Sequence, residues 1–446
     1  MIGYALLVFA ILLYPYLKKW SLLLFIAFCC GGFQVLNQIV LGTKPADLAA
    51  IYTVVICGYS FFAEKGNYEN DLVHRLFKAF IVFFILSVLF SLFHYGFTLT
   101  QVIQGSRMHW TFLSFYFLQK TRNEDVEWIV NKIIRITIFV SVLYIIQVLT
   151  NLPVLPYVVE NNIDSATGIG RFYNYPYFLG FVIYAVAIFP DKFKVKRKNI
   201  CLIILFLALL STQGRTMMIS LTLMLFIGLW LNGHRTKLLK IGIGLGIFLL
   251  PFADLISARF SAAGGSDSDI QAIFNGSFKN DLDSRTGTGY SVTGGTMSYR
   301  FAWIYERAEY LSGRPLSENI FGLGMISESQ SALVNRMYKF NLGLVQDNGF
   351  RIQISTPDIS YGNFLTQFGY VGGFMLILIW SSILYKLYIN RNDHPIIFST
   401  MLLVLFYFVN SLAGSTMSNM YSFGFPYLVL SLIYQKKNQK VSSITV

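Results

Sequence analysis

Long apolar runs recur along almost the whole chain, and short polar pieces separate them. With their flanks, most of these runs approach the roughly 20 residues that a helix needs to cross a bilayer. Because lipid offers no hydrogen-bond partners to backbone polar groups, the runs are predicted to be helices. The clearest runs are residues 81–93, 202–210, 217–231, 241–252, 374–384 and 396–409.

The first apolar run, residues 1–17, is predicted to be the first span. A secretory signal peptide begins with basic residues and continues with its apolar part. In this chain the basic pair Lys18-Lys19 follows the apolar part. We therefore expect the segment to stay in place as a helix.

One stretch, residues 255–358, contains no run of spanning length, and we call it the long loop. It carries nine Lys/Arg and ten Asp/Glu. Its first part, residues 261–296, is rich in Gly, Ser, Asp and Thr, which predicts irregular structure. The three-residue acidic pattern Asp267-Ser-Asp269 offers too few oxygen ligands for a hard cation. No metal site is expected there.

A helix is predicted inside the long loop at residues 298–311. Phe301, Ile304 and Ala308 share one face of this helix, and Arg300 lies at the edge of that face. Such an amphipathic helix can lie at a membrane surface and deliver Arg300 to a cleft. The loop then divides the chain into four parts. They are an N-terminal bundle (residues 1–254), the loop (255–358), C-terminal transmembrane helices (359–434) and a basic tail (435–446).

Composition agrees with a membrane protein. The chain is 55% hydrophobic and 13% charged, and its mean hydropathy is +0.56, whereas a soluble globular chain averages about 25% charged residues. A large soluble helical protein is therefore disfavoured. The predicted fold is an all-α polytopic membrane protein with about 12–13 transmembrane helices and one large extracytoplasmic loop.

The distribution of positive charge predicts the orientation. If the chain crosses about thirteen times starting outside, the inner pieces hold 22 of the 35 Lys/Arg and 8 of the 22 Asp/Glu. This bias follows the positive-inside rule. The net charge of +13 then reflects topology and attraction to anionic membrane lipid, with no nucleic-acid partner. The inner pieces are residues 18–19, 64–78, 120–135, 191–198, 234–240, 386–393 and 435–440.

Cysteine usage adds no redox or metal chemistry. All four cysteines lie in apolar runs and none lies in the long loop, so disulfides are excluded from the loop. The adjacent pair Cys29-Cys30 does not have the spacing of a zinc site. Small core residues are the simplest interpretation of these cysteines, and no cofactor is expected.

Three arginines outside the long loop lie near the predicted outer ends of spans. Arg107 lies with His109 in the span-like residues 100–119, where a buried charge is costly unless it serves a function or reaches the surface. Arg171 follows a Gly- and Pro-rich outer loop and lies among aromatics such as Tyr173, where an interfacial aromatic belt explains the tyrosines. Arg215 lies in a short polar segment between two apolar runs, residues 210–217. An ordinary hairpin turn is the other interpretation of this segment.

Asp358 lies at the outer mouth of the span that follows the long loop. A carboxylate there is favoured by the helix dipole whatever its function. It also lies where a general base would meet an acceptor hydroxyl group. Both interpretations remain open from the sequence alone.

Taken in order, these pieces resemble the O-antigen polymerase and O-antigen ligase superfamily, whose members are multi-span glycosyltransferases of the type C architecture. The resemblance lies within residues 168–373 and is carried by four motifs. They are Arg171-Phe-Tyr-Asn174, Ser211-Thr-Gln-Gly-Arg-Thr216, Arg300-Phe-Ala-Trp303 with Gly322-Leu-Gly324, and Asp358-x-x-Tyr361 followed by Leu365 and Gly369.

One departure from the family pattern bears on the function. Ligase members usually carry His-Asn where this chain has Asp358-Ile359, and the long loop contains no histidine. The resemblance therefore favours a polymerase. The ligase is the alternative enzyme, and a lipid-linked-sugar flippase is the alternative from another class.

The resemblance implies a donor of polyprenyl-diphosphate-linked oligosaccharide at the outer face of a bacterial inner membrane. It implies that Arg215 and Arg300 hold the departing diphosphate, since guanidinium binds phosphate bidentately and stays charged. Asp358 is then the first candidate base and Tyr361 the second. Arg171, Tyr173, Trp303 and Arg107 are candidates for substrate binding. Implied protein partners are a flippase and a chain-length regulator of O-antigen, capsule or exopolysaccharide assembly.

Overall fold

A computed structural model describes residues 2–36, 38–64, 71–156, 161–163, 170–250, 275, 296–343, 345, 349–356 and 358–444. The structure is 75% helical, and the strands in the described part form one two-stranded sheet. This confirms the all-α class. Most of residues 255–295, including Asp267-Ser-Asp269, lie outside the described residues.

Helices run through the whole described chain. In order they are α1 Ile2–Leu13, α2 Lys18–Cys29, α3 Gln38–Leu41, α4 Pro45–Ala63, α5 Leu72–Phe93, α6 Leu99–Ser106, α7 Ser114–Leu118, α8 Asn123–Thr150, α9 Leu179–Ile188, α10 Lys198–Ser211, α11 Arg215–Leu231, α12 Arg235–Leu249, α13 Thr296–Ser312, α14 Leu316–Phe321, α15 Ser331–Met337, α16 Ser360–Ile389, α17 Pro395–Asn410 and α18 Tyr421–Ile444. Short 3-10 turns are Gly31–Gln34, His109–Leu113, Glu328–Gln330 and Thr416–Ser418. The strands β1 Asn161–Ile163 and β2 Gly170–Phe172 pair antiparallel.

Four of the described helices, α4, α5, α8 and α16, are long and apolar enough to cross a membrane. Apolar helices of 10–17 residues accompany them: α1, α9, α10, α11 and α17. The structure therefore supports a membrane protein, and the count of 12–13 spans stays a prediction. The span-like residues 100–119 form no continuous helix, because α6 ends before Arg107 and a 3-10 turn separates it from α7.

The centre of the bundle is α9, whose residues are all buried. It packs against α8, α10, α11 and α17. Its sequence is apolar on every face, from Leu179 to Ile188, as expected for a helix surrounded by others. Ring contacts such as that between Phe181 and Phe425, 4.7 Å between centroids, join it to α18. The core is thus apolar and aromatic where the helices cross.

Ion pairs gather several of the predicted inner pieces at one end of the bundle, which we call the basic end. Lys18 Nζ lies 2.6 Å from Glu64 Oε1, and His394 Nε2 lies 3.2 Å from Glu127 Oε1. Lys386 bonds to Asp71, and Lys436 Nζ lies 2.8 Å from Asp393 Oδ1. Following the helices away from these pairs places Arg215 and Asp358 at the opposite end, the loop end. Which side of a membrane each end faces stays a prediction.

Helix α16 is broken at Gly369, which has φ 66° and ψ −168°. The carbonyl oxygen of Thr366 accepts a hydrogen bond from the N–H of Leu323, 2.7 Å away. Gly322, with φ 79°, faces this break, and an added Cβ there would lie 2.6 Å from the Thr366 oxygen. Glycine at both positions lets α14 and α16 meet backbone to backbone.

We expect Gly369→Ala to destabilise the protein. The backbone conformation alone costs a side chain about 1–3 kcal/mol, and the new Cβ would lie 2.5 Å from the carbonyl oxygen of Asn319. Gly373→Ala on the same helix is the control, since its Cβ would meet no atom closer than 3.5 Å. Thermal unfolding in detergent measures both. A melting temperature for Gly369→Ala equal to that of the control would contradict the strain at this break.

Candidate functional site

Arg300 and Asp358 lie together, although 57 residues separate them in the sequence. Arg300 Nη2 is 3.7 Å from Asp358 Oδ1, and the side chains are 12% and 28% exposed. Arg300 comes from α13, and Asp358 comes just before α16. The pair therefore joins the helix inside the long loop to the mouth of the following span. A half-open ion pair of this kind contributes little stability, typically about 0–1 kcal/mol.

Helix α13 is held by a face other than the one predicted from its sequence. Tyr299, Ala302 and Trp303 are buried, whereas Phe301 is 38% exposed. The buried face is chosen by a residue outside the helix, Gly362 of α16, which leaves room for the Trp303 ring. A Cβ added at Gly362 would lie only 2.5 Å from Trp303 Cζ3. The indole ring thus packs directly on the backbone of α16. Of the predicted face, Ile304 packs against these buried residues, and Phe301 stays exposed.

Arg307 is fully buried on the same side of α13 as Trp303. Its guanidinium lies 4.0 Å from the Trp303 ring centre and 4.4 Å from that of Phe340. Its Nη2 donates to the carbonyl oxygens of Leu342 and of Gln353, the latter at 3.1 Å. Sequence reasoning missed this residue. The signal that was available is its spacing of seven from Arg300, which places both on one helical face.

Glu328 fixes the segment that leads to Asp358. Its Oε1 accepts hydrogen bonds from the backbone N–H groups of Gln353 (3.1 Å), Ile354 and Ser355 (2.9 Å). Burial raises the pKa of Glu328 above its ordinary value, although these three bonds favour the charged form. One side chain therefore replaces the backbone partners that this irregular segment lacks.

Asn363 also holds the segment before Asp358, through the backbone of Thr356. Its Oδ1 accepts from the N–H of Thr356 at 2.8 Å, and its Nδ2 donates to the Thr356 carbonyl oxygen at 2.9 Å. The N–H of Asp358 donates to Thr356 Oγ1 at 3.2 Å. Asp358 is thus held by its backbone while its carboxylate remains accessible.

Tyr361 points away from this pair. Its hydroxyl group donates to the carbonyl oxygen of Phe408, 3.0 Å away. The proton of the phenol is engaged in a main-chain contact with α17. This contact favours a structural role, and its use as a second base stays a prediction.

Arg171 lies on β2, opposite Asn162 of β1. Its guanidinium is 4.8 Å from the ring centre of Tyr173, a distance typical of a cation–π contact. Its buried Nε has no hydrogen-bond partner among the described residues. Arg171 therefore lies against an aromatic ring, and its use in substrate binding stays a prediction.

Tyr144 brings the strand of Arg171 to the turn before Arg215. Its hydroxyl group donates to the carbonyl oxygen of Phe172 at 2.8 Å, and the Ser211 oxygen lies 3.5 Å away. Arg215 is the first residue of α11, where the helix dipole adds to its charge. The two motifs that carry Arg171 and Arg215 thus meet at one place at the loop end.

Asn174, in the motif of Arg171, has a structural role. Gln147 Nε2 donates to Asn174 Oδ1 at 2.7 Å, and Asn174 Nδ2 donates to the Leu155 carbonyl oxygen at 2.8 Å. The Leu155 N–H donates to Gln147 Oε1 at 2.8 Å, which closes a ring of hydrogen bonds. This closed ring anchors both ends of the loop between α8 and α9 and so sets the position of β2.

Arg107 has a carboxylate partner. Its Nη1 lies 3.2 Å from Asp47 Oδ1, at the start of α4. This ion pair stabilises the charge of Arg107, whose environment could not be decided from the sequence. A role for Arg107 in substrate binding stays a prediction.

A hydroxyl-rich turn between α17 and α18, residues 411–420, links the two arginine regions. Ser360 Oγ lies 3.1 Å from Ser411 Oγ and accepts from the N–H of Met417 at 3.0 Å. Across the turn, the rings of Tyr421 and Tyr177 stack 4.1 Å apart. Sequence reasoning missed this turn, whose Ser- and Thr-rich composition between two apolar runs resembles that around Arg215.

The described contacts therefore connect the segment of Arg171 to that of Asp358 through buried hydroxyl and aromatic side chains. This end of the bundle carries cations for an anionic group and a carboxylate for a proton. A close approach of Arg215 to Arg300 stays a prediction. Within the described residues, no group of three His, Cys, Asp or Glu side chains could hold a metal ion.

Glu328→Gln should keep the fold and remove a pH dependence. A carboxyl group with a raised folded-state pKa contributes stability below its ordinary value of 4.5, and this stability is lost as the pH rises through the raised pKa. Glutamine retains the acceptor oxygen and does not titrate. Glu328→Ala leaves buried N–H groups unpaired, at about 1–3 kcal/mol each. Melting temperatures measured from acidic to neutral pH test this, and an unchanged pH slope in Glu328→Gln would refute it.

Comparison with protein-family models and with curated proteins found no match to this chain.

Proposed function

We propose that this protein is a membrane glycosyltransferase that joins polyprenyl-diphosphate-linked oligosaccharide repeat units into O-antigen, capsular or exopolysaccharide. The single observation that carries the proposal is the 3.7 Å approach of Arg300 to Asp358. A fixed cation and an accessible carboxylate at the mouth of a span are the two groups that this reaction needs. The active site then faces the periplasm or the cell exterior.

The reaction transfers a glycosyl group from a lipid diphosphate. The bond between sugar C1 and the phosphate oxygen breaks, and the polyprenyl diphosphate leaves with the electron pair. The hydroxyl oxygen of the acceptor sugar bonds to C1, and its proton passes to Asp358. The acceptor is the terminal sugar of a second lipid-linked oligosaccharide.

Arginines stabilise the leaving group. Negative charge grows on the diphosphate oxygens as the bond breaks, and guanidinium groups bind it bidentately. Preorganised donors of this kind contribute roughly 3–4 kcal/mol each. Arg300 is partly neutralised by Asp358 in the free protein, and an incoming diphosphate displaces that carboxylate and leaves it free to act as the base. Arg215 and Arg171 add charge from the neighbouring motifs.

The placement of charge favours an enzyme over a flippase. A flippase carries charged groups along a central cavity, whereas α9 at the centre of this bundle is apolar and buried. The candidate arginines lie at helix ends or in the long loop. Against the ligase, position 358 is an aspartate followed by Ile359, and the long loop contains no histidine.

Arg300→Ala and Arg215→Ala should each abolish polymer, with rates at least 10²-fold lower, because each removes a donor to the leaving group. Lysine at either position should restore activity only in part, since it cannot bind bidentately. The measurement is the chain length of surface glycan in a complemented deletion strain, with protein level followed by immunoblot. The matched control is Arg336→Ala, an exposed arginine of the same loop.

The same strain separates the candidate functions. Single repeats still attached to lipid core indicate a polymerase, loss of all attachment indicates a ligase, and intermediates trapped inside indicate a flippase. Normal polymer in both alanine variants would discard the assignment of Arg215 and Arg300.

Asp358→Asn should lower kcat by about 10²–10⁴ through loss of the base. It should leave KM for the donor unchanged or lower, because the carboxylate no longer competes for Arg300. Initial rates with purified protein and lipid-linked donor measure both constants. Tyr361→Phe is the control, since its hydroxyl group contacts a main-chain oxygen; a larger loss of kcat in Tyr361→Phe than in Asp358→Asn would reverse the assignment.

A further inference from the structure

Two lysines at the basic end lie against one indole ring. Lys19 Nζ and Lys132 Nζ are each 5.3 Å from the ring centre of Trp128. The distance between the two nitrogens is therefore at most twice 5.3 Å. Trp20 packs edge-on against Trp128, with ring centroids 4.6 Å apart, and remains 43% exposed. We call these four residues the Trp128 cluster.

The lysines of this cluster differ from several other cations of the basic end. Neither Lys19 nor Lys132 forms an ion pair with a carboxylate of the described residues. Adjacent Lys18, by contrast, bonds to Glu64 at 2.6 Å. Other cations of this end also have carboxylate partners: Arg122 with Asp125, Lys386 with Asp71, and Lys436 with Asp393.

Two acidic side chains of α8 lie near the cluster, and neither forms an ion pair with its lysines. Glu127 bonds to His394 at 3.2 Å. Glu124 lies one helical turn before Trp128 and is exposed. Arg135, three residues after Lys132, is also exposed and adds a third positive charge to this surface. Three cations thus stand against two carboxylates, Glu124 and Glu127, and the local balance favours an anion.

The dipole of α2 strengthens this preference. Lys19 lies in the first turn of α2, where its charge adds to the partial positive charge of the helix end. Helix α8 also begins at this end, at Asn123, but Glu124 and Asp125 in its first turn offset its dipole. The N-terminus of α2 and the two lysines therefore carry the positive potential of the cluster.

The depth of the cluster identifies the source of the anion. After Arg135, α8 continues to Thr150 without a charged residue, and it is one of the helices apolar enough to cross a membrane. Lys132 thus lies where the polar and apolar parts of the helix meet. Tryptophan is enriched at this level of a bilayer, and basic pockets between helices at the inner leaflet bind the headgroups of anionic lipids.

We propose that the Trp128 cluster is a binding site for the phosphate headgroup of an anionic membrane phospholipid. The lysines contact the phosphate, and the exposed ring of Trp20 lies along the glycerol and upper acyl chain. The site lies at the end of the bundle opposite Asp358 and does not depend on the polymerase reaction.

The test is native mass spectrometry of the full-length protein in detergent, titrated with phosphatidylglycerol or with phosphatidylcholine of the same acyl chains. Phosphatidylglycerol should bind more tightly. Each Lys→Gln change should weaken it about fivefold, and Lys19→Gln with Lys132→Gln about 25-fold, at about 1 kcal/mol per lysine. Phosphatidylcholine binding should not change.

Controls separate a specific site from net charge and from misfolding. Lys78→Gln with Lys192→Gln removes the same charge from exposed positions and should leave the affinity unchanged. Lys19→Arg with Lys132→Arg should bind as the parent protein does. Equal weakening by the control pair, equal affinity for phosphatidylcholine, or displacement of the lipid by inorganic phosphate would each overturn the proposal.

Discussion

The contact between Gly322 and Gly369 is the constraint on which the loop end depends. A helix interrupted near lipid leaves carbonyl groups without partners, and each must be paired. Thr366 finds its partner in Leu323 N–H, which requires two backbones to approach without side chains between them. The second glycine contact, Trp303 on Gly362, fixes the helix that carries Arg300. Both contacts join the long loop to one helix, and the arginine and the aspartate meet as a result.

Around this contact, the irregular segments are held by side chains in place of regular backbone pairing. Glu328 binds three N–H groups, Asn363 binds both polar groups of Thr356, and Arg307 binds the carbonyl oxygens of two residues. Each of these side chains is engaged with the backbone, so none is available for chemistry. Those that remain accessible at the site, Arg300 and Asp358, are the ones that carry the proposed reaction.

The hydrophobic pattern predicted the helices and the long loop because spanning runs are local in sequence. Asp358 was singled out because it precedes a span, and Arg300 because it lies at the edge of the amphipathic helix predicted inside the long loop. The pattern could not choose the buried face of α13, since Phe301 and Trp303 are both apolar and the choice is made by Gly362. The burial of Arg307 was equally hidden, because its partners come from residues 340–353.

The break at Gly369 also sets a depth. The part of α16 beyond it, residues 370–389, contains 20 residues, and at 1.5 Å per residue it is about 30 Å long, the thickness of the hydrocarbon core of a bilayer. The nine residues before the break do not extend this segment, because a Cβ added at Gly373 would lie 3.5 Å from the carbonyl carbon of Phe364. They turn back beside it, and the N–H of Ser360 donates to the carbonyl oxygen of Ser411, where α17 ends. Asp358 therefore lies close to the end of α17, and in the proposed reaction a lipid-linked sugar would meet it without its hydrocarbon chain leaving the membrane.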